Sequence, residues 1–162
     1  MLRLISIGDI HGFHRKLILP PGDILIHSGD FDGGSIQAVD NFNAWLGTPP
    51  CRHKLVIAGN RDLLFDRHPK LARAHLTKAI YLMGEDWAFC RERGSAIRKH
   101  WERIPVDTDV LITHEAPYGT LDKNDILGRH HRCHNLLGAL LRVKPRLHVF
   151  GHIHGGYGRK SA

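Results

Sequence analysis

Cysteine is scarce in this chain: three residues in 162, Cys51, Cys90 and Cys133, odd in number and far apart. No CxxC pair occurs, so neither a disulfide framework nor a zinc ribbon is readable, and the thiols are expected to be reduced, as in a cytosol. No apolar run approaches the roughly 18 residues that a bilayer span requires, so no membrane association is expected. The N-terminal segment MLRLISIGDIHG has only a short apolar stretch, with Gly-Asp-x-His where a cleavage site would lie. A signal peptide is therefore not expected, and the expected compartment is the cytoplasm. Aromatic residues make up only 7%, but with 42% hydrophobic residues this is not the composition of a disordered chain. Acidic residues are outnumbered, 16 against 23 Lys and Arg, for a net charge of +7. Such a balance suits anionic partners, either phosphorylated small molecules or nucleic acid, and also suits a merely solvated basic surface. There is no internal repeat, no low-complexity tract and no dividing linker, so residues 1–162 are expected to form a single domain.

Five short runs rich in Ile, Val and Leu read as strands covered on both faces: Leu2–Ile7, Asp23–His27, Lys54–Ala58, Asp109–Thr113 and Arg146–Phe150. Amphipathic stretches lie between them. Ser35 is placed to cap a helix with Ile36, Val39, Phe42 and Leu46 on one face, ended by Gly47 and then Pro49-Pro50. Pro69 suits the first turn of a short helix carrying Leu71 and Leu76. Ser95 is placed to cap a helix with Ile97, Trp101 and Ile104, and Asn135 precedes a Leu-rich run that stops before Pro145. This alternation predicts an α/β protein with a largely parallel sheet. The segment from Glu115 to His134 is the longest without clear periodicity, as functional loops often are.

Each strand runs straight into a polar motif. In order these are Gly8-Asp9-Ile10-His11, Ser28-Gly29-Asp30, Gly59-Asn60-Arg61-Asp62, His114-Glu115 and Gly151-His152-Ile153-His154. Ligands of open α/β sheets bind beyond the carboxyl ends of the strands, so the motifs are expected at one sheet edge. Carboxylate oxygen and imidazole nitrogen are ligands for iron, manganese and zinc, and a carboxylate can bridge two cations and reduce their repulsion. The residue types therefore suit a dinuclear metal centre. Asp9 and His11 cannot share a face of a regular helix but converge in a turning loop, and so do His152 and His154. The glycines before Asp9, Asp30, Asn60 and His152 are expected to supply the backbone angles of tight strand-to-loop turns. Taken singly, each motif has an ordinary explanation: Gly-Asp and Gly-Asn are turn signals, and a histidine at a strand end is usually hydrogen-bonded in a core. Ligand-type residues at five strand ends in succession are not explained that way.

These motifs resemble, in order and in strand context, those of the calcineurin-like metallophosphoesterases: D-x-H, G-D, G-N-H-[DE], a lone His after a strand, and G-H-x-H. Here they read DIH (9–11), GD (29–30), GNRD (59–62), TH (113–114) and GHIH (151–154). The flanks VIAGNRDLLFD (56–66), IPVDTDVLITHEAPYG (104–119) and VKPRLHVFGHIHGGYG (143–158) are similar to one branch, the metallophosphoesterase-domain proteins with cyclic-nucleotide phosphodiesterase-like activity. The resemblance implies a two-sheet sandwich flanked by helices, an αββα arrangement. It implies a hydrolase with two divalent cations, manganese, iron, nickel, cobalt or zinc. One would take Asp9, His11, Asp30 and His154, the other Asp30, Asn60, His114 and His152, with Asp30 bridging. A hydroxide shared by the metals would attack phosphorus in line. Asp30, His114 and Arg61 are the candidates for catalytic roles. The expected substrate is a small phosphodiester such as a cyclic nucleotide, or a phosphomonoester. A metal-binding interaction module of weak activity and a nuclease are the alternatives.

The chain departs from the family pattern at three places. The histidine of G-N-H, which helps stabilise the transition state or protonate the leaving group, is Arg61 here. Arginine keeps a cation and forked donors but cannot act as a general acid near neutral pH. The stretch Tyr81–Trp87 looks short where relatives carry an extra strand pair, and the sequence ends soon after the last motif. The second sheet is therefore expected to be reduced, leaving apolar surface or an open edge; a homo-oligomer contact that covers it and a less stable domain are the two outcomes. The tract His130-His131-Arg132-Cys133-His134 reads as part of a loop near the site, in which Arg129 and Arg132 are candidate phosphate contacts or simply solvated. His27 and His148, inside strands, read as hydrogen-bonded structural residues or as residues that orient a ligand. His14, His53, His68, His75 and His100 have no readable partner spacing.

Overall fold

The computed structural model describes residues 2–82, 94–122 and 133–161. They fall into two compact units, Met1–Phe89 and Cys90–Ala162. Both are α/β, and every strand pairing among the described residues is parallel, as the alternation of strands and helices predicts.

The first unit is built on four strands: β1 (Leu4–Ile7), β2 (Gly22–His27), β3 (Cys51–Val56) and β4 (Ile80–Tyr81), in the order β1-β2-β3-β4. The register sets Leu4 beside Ile24 and Ile26 beside Leu55. β3 begins and ends earlier than the apolar run suggests, because Gly22 of β2 pairs with Cys51 and draws the exposed Arg52 and His53 into the ladder. β4 joins this same sheet through Leu55 and Val56. It opens the stretch where the sequence suggested a shortened strand pair, and residues 83–93 lie outside the described residues.

Helix α1 (Ile36–Leu46) starts where Ser35 was expected to cap it, the hydroxyl accepting from the Ala38 N–H at 3.2 Å, and it ends at Gly47. It buries Val39, Phe42, Trp45 and Leu46. Phe42 stacks on Phe31 at 4.2 Å, and Phe31 meets Phe65 edge-on at 5.6 Å. Fully burying such a ring contributes about 1.5–3 kcal/mol, so this aromatic column anchors the segment just after β2. Two short helices follow β3, α2 (Leu63–Arg67), which the sequence pattern did not suggest, and α3 (Pro69–His75). α3 has Pro69 in its first turn as expected, but it buries Ala72 while Leu71 is exposed.

The second unit contains α4 (Ser95–Glu102), β5 (Val110–Ile112), α5 (His134–Val143) and β6 (Leu147–Val149). β5 and β6 form a two-stranded sheet with Val110 beside Leu147 and Ile112 beside Val149. The N-cap of α4 is Gly94 and not Ser95; Gly94 takes a positive φ of 102°, and Ser95 becomes the first helical residue. α5 starts before Asn135: Cys133 is its cap, with Sγ accepting from the Leu136 N–H at 3.4 Å. It stops at Lys144 in the left-handed conformation, before Pro145. Trp101, Ile104, Leu111, Leu136, Ala139, Val143 and Val149 are buried in this unit.

Arg142 closes the open end of α4. Its Nη2 donates to the carbonyls of Trp101, Glu102 and Ile104 at 3.1, 3.3 and 2.8 Å. No helix among the described residues is long and apolar enough to cross a membrane. Arg142→Met keeps the aliphatic stem and removes the donors. It should cost about 1.5–3 kcal/mol, the worth of one hydrogen bond to a charged group, in the denaturant unfolding of the full chain. An unchanged midpoint would show that this clamp contributes nothing.

Candidate metal centre

In the first unit, the D-x-H and G-D motifs are stitched together by a backbone ladder that outruns the strands. The Ser28 N–H donates to Ile7 O at 2.9 Å, Asp9 N–H to Gly29 O at 2.9 Å, His11 N–H to Asp30 O at 3.0 Å and Gly12 N–H to Phe31 O at 3.2 Å. A carboxylate oxygen of Asp9 and a ring nitrogen of His11 lie within 4.8 Å of each other. Asp30 is buried. Its Oδ1 accepts the Arg61 backbone N–H at 2.8 Å, which brings the G-N-R-D loop onto the same edge. Asn60 and Arg61 are exposed there.

The residue that ties these loops together is Asp62, which is 0% exposed. Its Oδ2 accepts the N–H groups of Asp30 at 2.9 Å and Gly59 at 2.8 Å, and its Oδ1 accepts that of Gly33 at 2.7 Å. Burial pushes this carboxyl up to about 7, against the pull of the three backbone donors. Gly33 has to be glycine, since a Cβ there would meet the Phe31 ring at 2.6 Å and Asp62 Oδ1 at 3.2 Å. In the sequence Asp62 stands only as the last residue of the G-N-R-D motif, and the one signal of this role there is an acid closing a Gly-Asn turn.

In the second unit the ladder of β5 and β6 also continues. The Thr113 N–H donates to Val149 O at 3.0 Å and the Gly151 N–H to His114 O at 3.0 Å. This sets His114 Nε2 at 3.2 Å from His152 Nδ1. Two nitrogens bound to one ion at about 2.0–2.1 Å stand that far apart when they subtend about 100°. The pair therefore fits joint ligation of a divalent cation. His154 opens a short 3-10 turn, His154–Gly156, and is exposed. The loop after His114 is joined to that turn at Gly156, whose hydrogen faces the Leu121 carbonyl so closely that no side chain fits.

The glycines do not carry the turns as expected. Of Gly8, Gly29, Gly59 and Gly151, only Gly29 has a positive φ. The left-handed angles fall on the ligand-type residues themselves: Asp9 at 52°, His11 at 41°, Asp30 at 59° and His152 at 73°, with Asp32 at 75°. Non-glycine residues held there cost about 1–3 kcal/mol each and mark functional loops.

The strand histidines are hydrogen-bonded, as expected. His27 Nδ1 accepts the Gly29 N–H at 3.1 Å, and His148 Nε2 lies 2.8 Å from Thr113 Oγ1. Burial pushes the His148 imidazole down to about 4, so it is neutral near pH 7. His75 pairs with Asp40 at 2.7 Å, and His14 is buried against Phe42 and Trp45. His134 stacks on Tyr118 at 3.8 Å. Arg129, His130, His131 and Arg132 lie outside the described residues, as does Cys90.

No family model matches the chain. It is 35% identical over 200 aligned positions to metallophosphoesterase domain-containing protein 1 of Homo sapiens, covering 96% of this chain and 61% of that protein. It is also 35% identical over 197 positions to UPF0046 protein C25E10.12 of Caenorhabditis elegans, covering 97% of this chain and 70% of that one. A third relative, probable rhamnogalacturonate lyase C of Emericella nidulans, is 36% identical over 191 positions, but the match spans 18% of its length. The chain thus covers about three-fifths of the human relative.

Asp62→Ala would strand three buried N–H donors at about 1–3 kcal/mol each. The full chain should lose at least about 3 kcal/mol in denaturant unfolding, and Asp62→Asn, which retains one acceptor oxygen, should lose less. Equal stability of Asp62→Ala and wild type would remove Asp62 from its place as the tie between the loops.

Proposed function

This chain belongs to the metallophosphoesterase-domain family, and from that premise we propose that it is a metal-dependent phosphoesterase acting on small phosphodiesters such as cyclic nucleotides. The observation that carries the reading is the His114–His152 pair, whose nitrogen separation of 3.2 Å suits two ligands of one cation. The reading assigns, from motif order, Asp9, His11, Asp30 and His154 to one ion and Asp30, Asn60, His114 and His152 to a second. Asp30, common to both sets, would serve both ions, and the layered two-sheet arrangement of the family belongs to the same reading. Bound divalent cations supply positive charge to the phosphoryl oxygens and lower the pKa of water. Cytoplasmic residence belongs to the same reading, and the buried thiols of Cys51 and Cys133 are both free.

The protein's own groups divide the remaining work. Asp30 contributes negative charge from a buried position, and the Arg61 N–H on its Oδ1 holds that carboxylate in one orientation. The Arg61 side chain is exposed, and the Asp62 oxygens are committed to backbone donors and not to its guanidinium. The guanidinium is thus available to clamp non-bridging phosphoryl oxygens and to stabilise charge that grows in the transition state. It cannot protonate a leaving group near neutral pH. Substrates whose leaving group departs unprotonated are favoured.

Purified protein supplied with manganese, nickel or cobalt should hydrolyse bis-p-nitrophenyl phosphate faster than p-nitrophenyl phosphate. A folded sample with no metal-stimulated turnover on either would overturn the reading. Asp30→Asn retains an acceptor for the Arg61 N–H and tolerates the left-handed backbone, so it removes charge without removing the fold. It should lower turnover by more than about tenfold, a step worth about 1.4 kcal/mol.

Arg61→His restores G-N-H-D. It should raise the rate on a cyclic nucleotide, whose ribose oxygen needs a proton, relative to bis-p-nitrophenyl phosphate, whose nitrophenolate does not. The quantity to measure is the ratio of the two rates in wild type and variant. A constant ratio would mean that residue 61 does not set substrate range.

A further inference from the structure

We propose that His148 is a positioning residue for His114, acting through the hydroxyl of Thr113. The inference rests on reading His114 as a metal ligand. Thr113 is buried, and its hydroxyl donates to the Glu115 carbonyl at 2.8 Å. That bond reaches across His114, from the residue before it to the residue after it. The same Oγ1 lies 2.8 Å from His148 Nε2. A hydroxyl has one proton, and it is committed to Glu115, so the imidazole N–H is the donor and the proton of His148 sits on Nε2.

The result is a relay from a ring N–H through a hydroxyl to a carbonyl, with His114 enclosed between its last two members. Its origin is fixed. His148 sits in β6 beside Leu111 of β5, and its ring lies against that of Phe150 at 4.8 Å. The backbone of His114 is also held from the far side by the Gly151 N–H on its carbonyl. With residues 113 and 115 both fastened, the loop cannot rotate its peptide planes, and the imidazole of His114 keeps its 3.2 Å spacing from that of His152. An aliphatic residue at position 148 would fill space but leave the Thr113 oxygen without its donor. Groups that orient ligands in this way are worth about ten- to a hundredfold in metal affinity.

The test uses the full chain, with manganese affinity measured by titration calorimetry, thermal unfolding as a check on folding, and kinetics on bis-p-nitrophenyl phosphate. His148→Leu should weaken manganese binding by about ten- to a hundredfold, with KM at saturating manganese close to that of wild type. His148→Gln, which offers an amide N–H at similar reach, should recover most of the affinity. Thr113→Val, close in shape but without the hydroxyl, should reproduce the loss, and Thr113→Ser should not. A folded His148→Leu with wild-type affinity overturns the proposal, and so does His148→Gln no better than His148→Leu. If His148→Leu does not fold, the Thr113→Val and Thr113→Ser pair decides, equal affinities counting against it. His114→Ala should lose affinity outright. If it does not, the assignment of His114 as a ligand has failed, and the positioning role falls with it.

Discussion

A single buried carboxylate organises the first unit. Asp62 gathers the N–H groups of Asp30, Gly33 and Gly59, and so ties the loop after β2 to the loop after β3. The tie is reciprocal, because Asp30 in turn accepts the N–H of Arg61, the residue before Asp62. Neither loop can move without breaking bonds held by the other. A carboxylate without such donors would be costly to bury, and three backbone N–H groups left without an acceptor would be costly as well. Much of the local sequence serves this arrangement. Gly33 leaves room for the Phe31 ring, and Phe31 stacks on Phe42 of α1, so the site loop is fastened to the core immediately after Asp30.

The second unit meets a similar demand. Among the described residues its sheet has two strands, and each is short. The pairing is lengthened by the Thr113 and Gly151 N–H groups, which carry the ladder past the strand ends to His114. The hydroxyl of Thr113 and the ring of His148 add side-chain bonds where the ladder stops. At Gly156 the chain packs against the Leu121 carbonyl, which joins the loop after β5 to the turn carrying His154. Arg142 of α5 fastens the end of α4 in the same unit.

Backbone strain is concentrated at the same places. Asp9, His11, Asp30 and His152 all take left-handed angles. Aspartate and histidine both enter this conformation more readily than most residues do, yet each still carries a cost there. The extended ladders and the Asp62 tie supply the compensating bonds.

The sequence by itself determined the α/β class and the strand ends at which the candidate ligand residues stand. Runs of Ile, Val and Leu alternating with amphipathic stretches specify parallel strands with helical connections, because strand and helix periodicities are local properties of the chain. The same local reading located Ser35 as a cap, Pro69 as a first-turn residue, and the five motifs at five strand ends. It also suggested a hydrogen-bonding role for His27 and His148 from their place inside strands. What it could not reach was decided by partners far away in the chain. β3 extends back to Cys51 only because Gly22 is beside it, and Asp62 becomes a buried tie only because Asp30 and Gly33 deliver their N–H groups to it. The positive φ angles fell on the acids and histidines and not on three of the four glycines preceding them. Propensity points to glycine there, but the ladder bonds from Asp9, His11 and Gly151 fix where the chain must bend. Hydrogen bonds between residues 20 to 40 positions apart leave no periodic trace in the sequence, so the tertiary structure alone could decide them.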